Sequence, residues 1–111
     1  MLLHAQLYVL GDRYRIKGLC NQSLHVLYCL LKRSPPTTKA RCLDMCVVVG
    51  YCYKETYGGN KLRNLLSLYM AFHVRTFNQV PEFRKLLASL GGFSQDLVGE
   101  ISELAKGSVW G

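Results

Sequence analysis

The pair Pro35-Pro36 constrains this chain more than any other feature of its sequence. Proline lacks a backbone N–H, and its ring pushes the preceding residue out of the helical region. A helix arriving from the N-terminal side must therefore end before it. The apolar residues on that side recur at helical spacing. Leu19, Cys20, Ser23, Leu24, Leu27 and Leu31 share one stripe, while Lys17, Asn21, Gln22, His25 and Lys32 lie elsewhere. This predicts an amphipathic helix of about four turns from Ile16 onward. After the prolines, Thr37-Thr38 offers a hydroxyl to cap a following helix.

Other punctuation divides the remainder. Leu2–Leu10 reads as a short helix with Leu3, Leu7 and Leu10 on one side and Tyr8 and Val9 adjoining, weakened or ended by Gly11-Asp12. Lys39–Tyr57 carries two signals. Its run Cys46–Tyr53 is rich in strand formers, yet Ala40, Leu43, Val47, Gly50 and Tyr51 fit a helical stripe. The segment is long for a strand, so a helix is expected, with a buried strand as the alternative. Tyr57-Gly58-Gly59-Asn60 is a turn. Lys61–Phe77 shows two stripes, one of Leu62, Leu65, Leu66, Tyr69 and His73, the other of Met70, Val74 and Phe77, which predicts burial on more than one side. Pro81 and Glu82 suit the first turn of a short helix carrying Phe83, Leu86, Leu87 and Leu90, stopped by Gly91-Gly92. Ser94 would cap a last helix with Leu97, Val98, Ile101, Leu104 and Ala105 on its stripe, ending at Lys106-Gly107. Trp110, beside the C-terminus, is read as frayed. The expected fold class is all-α, with about six short helices.

Charge and cysteine content narrow the class of partner. The chain has 111 residues, one domain or less, and half of them are apolar, enough to build a core. Lys and Arg number 14 against 7 Asp and Glu, a net charge of +7 that favours acidic partners: nucleic acid, an acidic protein surface or anionic lipid. The cations are scattered, densest at Arg13, Arg15 and Lys17 and then at Lys32-Arg33 with Lys39 and Arg41. Five cysteines cannot all pair within one chain, and they read as reduced, mostly buried thiols of an intracellular protein. Met1-Leu2-Leu3 lacks the basic start of a signal peptide, and the longest apolar run falls far short of the ~20 residues that span a bilayer. A cytoplasmic or nuclear protein that does not enter a membrane is the expectation.

His4–Leu19 reads His-Ala-Gln-Leu-Tyr-Val-Leu-Gly-Asp-Arg-Tyr-Arg-Ile-Lys-Gly-Leu. It resembles the closing helical pair of BTB/POZ domains, typically His-Ala-x-Val-Tyr-x-Leu-Ala-Asp-Lys-Tyr-x-Ile-x-x-Leu. Tyr8, Leu10, Asp12, Tyr14, Ile16 and Leu19 match; Leu7, Gly11 and Arg13 depart. Gly11 stands where the family has Ala, at a cost of ~1 kcal/mol in a helix interior. Downstream, Lys61-Leu62-Arg63 through Phe77, then Pro81–Leu87 with Phe83, Gly92-Phe93 and Asp96-Leu97 are similar to the helical segment that follows the domain in fungal BTB proteins. The resemblance implies that residues 1–34 are the C-terminal pair of a BTB-like domain and that 35–111 are a helical extension packed on it. It implies a non-catalytic protein–protein interaction module, a truncated adaptor or scaffold fragment. The family's strands, most of its dimer interface and its cullin-gripping loop would precede Met1. Helices built to cover a sheet would then keep an apolar face open, for a protein partner or for self-association.

Few residues suggest chemistry. Cys42, Cys46 and Cys52, with His25 or His73, are zinc-ligand types, but their spacing lacks the paired CxxC of structural sites. His4, His25 and His73 stand apart from any triad-like Asp, Glu or Ser. Gly58-Gly59-Asn60-Lys61 lacks the spacing of a phosphate loop. No enzyme activity, metal or cofactor is expected. Arg13, Arg15 and Lys17 lie between two helices, as a helix-turn-helix would present them, so a small basic helical nucleic-acid binder is the alternative. It is disfavoured because the next helix turns only Asn21, Gln22 and His25 outward. These cations serve equally as contacts for an acidic partner. The seven tyrosines are core-edge residues or interface anchors.

Overall fold

The computed structural model describes residues 1–57 and 60–107. Among these, seven helices and no strand form: α1 (Leu2–Arg13), α2 (Lys17–Arg33), α3 (Lys39–Glu55), α4 (Lys61–Phe72), α5 (Val74–Phe77), α6 (Pro81–Ser89) and α7 (Gly91–Gly107). The all-α class is as the periodicity predicts, with one helix more than expected. The Gly58-Gly59 centre of the expected turn and Trp110 lie outside the described residues.

α1 does not stop at Gly11. It runs on to Arg13, and Gly11 is buried inside it where α2 crosses. A Cβ built on Gly11 would sit 3.0 Å from Cys20 Sγ, 3.1 Å from Cys20 N and 3.2 Å from Ile16 O. The missing side chain is what lets the two helices close. The turn between them passes through Arg15, whose φ of 57° is left-handed, and Ile16 N–H donates to Gly11 O at 2.7 Å. The face of α1 that enters the core is also not the expected one. Ala5, Tyr8 and Val9 are buried, while Leu3 is 61% and Leu10 45% exposed.

The strand-forming run on α3 is helical. Propensity differences among ordinary residues are tenths of a kcal/mol, and burial of Cys42, Met45, Cys46, Val49 and Cys52 at helical spacing overrides them. That buried stripe replaces the expected one: Ala40 and Val47 face solvent, and Leu43, Gly50 and Tyr51 are only half-buried. Thr38 caps α3 as expected, its hydroxyl accepting from Arg41 N–H at 3.2 Å.

Lys61–Phe77 is two helices, not one. His73 leaves the helical region at φ −110° and ψ 26°, and the short α5 that follows brings Phe77 and then Val80 into the core. α7 begins at Gly91, so Ser94 is not its cap. The Ser94 N–H is already bonded to Leu90 O at 3.0 Å, and its hydroxyl donates back to Leu87 O at 2.5 Å. On α7 the buried residues are Phe93 and Leu97; Val98, from the expected stripe, is 63% exposed, and Ile101 and Ala105 also face solvent.

One buried cluster holds the helices together, and it draws Ala5, Tyr8, Leu27 and Leu31 from residues 1–34 as well as the residues downstream. Its spine is a relay of aromatic rings. Tyr69 meets Phe77 with centroids 6.1 Å apart, Phe77 meets Phe83 at 5.8 Å, Phe83 meets Phe93 at 6.2 Å and Phe93 meets Tyr53 at 5.4 Å. These spacings are favourable for ring pairs, each contributing about 0.5–1.5 kcal/mol beyond burial. The relay links α3, α4, α5, α6 and α7.

Candidate interaction surface

α2 and α4 pack across their buried stripes, Leu27 and Leu31 on one and Leu62, Leu66 and Tyr69 on the other. Ser34 and Pro35 lead away from α2 at the same end. The Tyr69 hydroxyl donates to Ser34 O at 2.8 Å and holds the proline corner against α4. A groove of about 530 Å³ is left between the helices, lined by Tyr28, Leu31, Lys32, Pro35, Leu65, Leu68, Tyr69, Phe72 and His73. A second hollow of about 330 Å³, lined by Asn21, Leu24, His25, Tyr28 and Leu65, shares two of those residues and extends the groove toward the start of α2. The rim is apolar and open: Tyr28 is 51%, Leu68 42% and Phe72 71% exposed.

Its electrostatics are one-sided. From Arg13 to Leu43, and again from Thr56 to Pro81, the sequence contains no Asp or Glu. The helices that wall the groove, α2 and α4, and α5 beyond them, therefore carry no carboxylate. Lys32 Nζ lies 5.8 Å from the centre of the Tyr28 ring, a cation at the groove's edge. Partial burial holds the His73 imidazole below its ordinary value, so it stays neutral further into acid than a free histidine.

The residues singled out from sequence fall into two sets. Tyr8, Leu62, Phe83 and Phe93 are buried in the core. Arg63 is half-buried and holds the end of α3. Its Nε donates to Thr56 Oγ1 at 2.9 Å, its Nη2 donates to Tyr53 O at 2.9 Å and also to Thr56 O, and its guanidinium lies 4.4 Å over the Tyr53 ring. The second set gathers at the α1–α2 turn. Asp12, Tyr14, Ile16, Arg15 and Lys17 are exposed there, with Leu19 half-buried. Arg13 in that turn pairs with Glu55 at 3.1 Å, which removes it from the basic cluster. Tyr28 was named only among the seven tyrosines that could anchor an interface, and Leu68 and Phe72 were not foreseen. Their signal was present: Leu68 and Phe72 are the large apolar residues left off the two stripes of Lys61–Phe77.

The thiols and imidazoles converge on little. Burial pushes the Cys46 thiol up to about 11 and the Cys52 thiol up to about 12, which keeps both protonated and unreactive at neutral pH. Cys29 Sγ lies 3.7 Å from His25 Nε2 one turn away on α2. Both are mid-helix, where the neighbouring backbone N–H groups are committed to the helix and cannot hold an oxyanion. Among the described residues, no group of three or more His, Cys, Asp or Glu is placed to hold a metal ion. Among the same residues, no helix is long and apolar enough to cross a membrane. No family model, no curated protein and no solved structure matches this chain.

Proposed function

We propose that this chain is a non-catalytic protein–protein interaction module, a fragment of the BTB/POZ-like adaptor or scaffold type that His4–Leu19 and Lys61–Leu97 resemble. The observation that carries the reading is the outward stripe of α1. Leu3, Leu7, Leu10 and Tyr14 recur at i, i+4, i+7 and i+11, the spacing of a face meant for burial. Leu3 is 61%, Leu10 45% and Tyr14 66% exposed, and Ile16 beside them is 48% exposed. A run of this kind on α1, whose other face already packs in the core, supports a further layer of polypeptide on this side. Covering apolar area is favourable by about 25 cal/mol per Å², and open area of this kind marks a contact surface.

The test is direct. An apolar-surface dye should brighten on the folded protein, and sedimentation velocity should show association that grows with concentration or is quenched by Leu3→Glu with Leu10→Glu. Both residues point outward, so the double variant should keep its helical circular dichroism. A chain that sediments as a monomer at every concentration and leaves the dye dark would overturn the reading.

A further inference from the structure

We propose that the groove between α2 and α4 is a docking site for an acidic amphipathic helix of a partner protein. This rests on the interaction-module reading but concerns a different face from the α1 stripe. The shape of the groove suits such a helix. The two hollows share Tyr28 and Leu65 and so lie end to end along α2, together forming a trough. Its α2 wall runs Asn21, Leu24, His25, Tyr28, Leu31, Lys32 and on to Pro35, a span of roughly 20 Å at 1.5 Å per residue. Its α4 wall is Leu65, Leu68 and Phe72, spaced i, i+3 and i+7. A trough of this length with apolar walls suits a helix of about three to four turns laying down its own i, i+3/i+4, i+7 anchors. Tyr28 and Phe72, both more than half exposed, are the large aromatic anchors such contacts use.

Charge decides the occupant. Both walls come from stretches of chain without a single carboxylate, while Lys32 lines the trough and Lys17, Arg33, Lys61 and Arg75 lie on the same three helices. A helix flanked by Glu or Asp meets Lys32 at the trough's edge and no carboxylate on either wall. A second copy of this chain carries +7 and brings the same basic walls, so self-docking of the two troughs is opposed. A flat anionic membrane cannot reach the apolar floor of a trough that is bounded by two helices.

The probe is a fluorescent peptide of about 18 residues, helical, with Leu anchors at i, i+3 and i+7 and Glu on both flanks, and a twin with Lys replacing each Glu. Binding is read by anisotropy against the whole chain. The Glu peptide should bind at least 10-fold more tightly than the Lys peptide. Phe72→Ala should weaken it at least 10-fold, and Lys32→Glu about 5-fold while improving the Lys twin. Both variants change exposed side chains, so unchanged circular dichroism is the control. Equal affinity for the two peptides, or affinity indifferent to Phe72→Ala, overturns this proposal and leaves the module reading standing if the dye still brightens. A dark dye and a monomer at every concentration, together with no peptide binding, bring down both.

Discussion

The Tyr53 hydroxyl donates to Asp96 Oδ2 at 2.6 Å, tying the end of α3 to the first turns of α7. The two residues are 43 apart in sequence. Burial first, and then this carboxylate acceptor, push the phenol far above its ordinary value, so it remains a donor across the accessible pH range. Tyr53→Phe keeps the ring against Phe93 but removes the donor. A hydrogen bond to a charged group is worth about 1.5–3 kcal/mol, and the half-buried Asp96 recovers part of that from water. The expected loss is therefore about 1–2 kcal/mol, read from the urea midpoint at constant slope.

Gly11 and Gly99 should respond to alanine with opposite signs. Both lie inside helices, where alanine is intrinsically better by about 1 kcal/mol. Nothing lies within 4 Å of a Cβ at Gly99, so Gly99→Ala should stabilise by about that amount. At Gly11 the new methyl meets two backbone atoms that cannot move alone, besides Cys20 Sγ. Gly11→Ala should destabilise by about 1–3 kcal/mol through overpacking of α1 on α2. Thermal melts of the two variants side by side check both signs.

Arg63 should prove structural. Its fork donates to Tyr53 O, Thr56 O and Thr56 Oγ1, carbonyls and a hydroxyl at the C-terminal end of α3, where a cation also suits the helix dipole. Arg63→Ala leaves these acceptors short of a donor and should cost about 2–3 kcal/mol in urea unfolding. Arg63→Lys keeps the charge but loses the planar fork and the stacking on Tyr53, so it should recover less than half of that loss.

The buried thiols set a sign for alkaline pH. In the folded chain Cys46 titrates at about 11 and Cys52 at about 12, against an ordinary thiol value of 9.0. Above pH 9 the unfolded chain gives up these protons first and so binds fewer than the folded chain. Stability therefore falls as pH rises from 9 toward 11–12, and the contribution is complete below 9. Urea midpoints at pH 7, 8, 9 and 10 should be flat and then decline. At neutral pH a thiol reagent should label Cys29 rapidly, since it is partly exposed on α2, and Cys46 and Cys52 only as fast as the protein opens. Cys29→Ser should remove the fastest phase and leave the slower labelling of Cys20, which is also partly exposed but whose thiol is pushed up by burial and donates to Tyr8 O at 3.6 Å.

Helix formation was legible in the residues alone. Spacing of apolar positions is a local property, and so are a proline stop and a threonine cap, which is why α2, the start of α3 and the start of α6 fall where the sequence puts them. Which side of a helix turns inward is not local. α1 and α3 are apolar over more than one stripe, and only the neighbours that cover them select Ala5, Tyr8 and Val9 over Leu3 and Leu10, or Cys42, Cys46 and Val49 over Ala40 and Val47. The continuation of α1 through Gly11 likewise needed a partner helix close enough to reward an absent side chain.

The trough belongs to the same class. Sequence alone determined its charge, because a carboxylate-free stretch is a fact of composition. Tertiary structure decided that two such stretches stand side by side, with Tyr28, Leu68 and Phe72 on the rim instead of in the core. The physical reason is that neighbours cover α2 and α4 over only part of their circumference, and the apolar side chains on the uncovered part become surface.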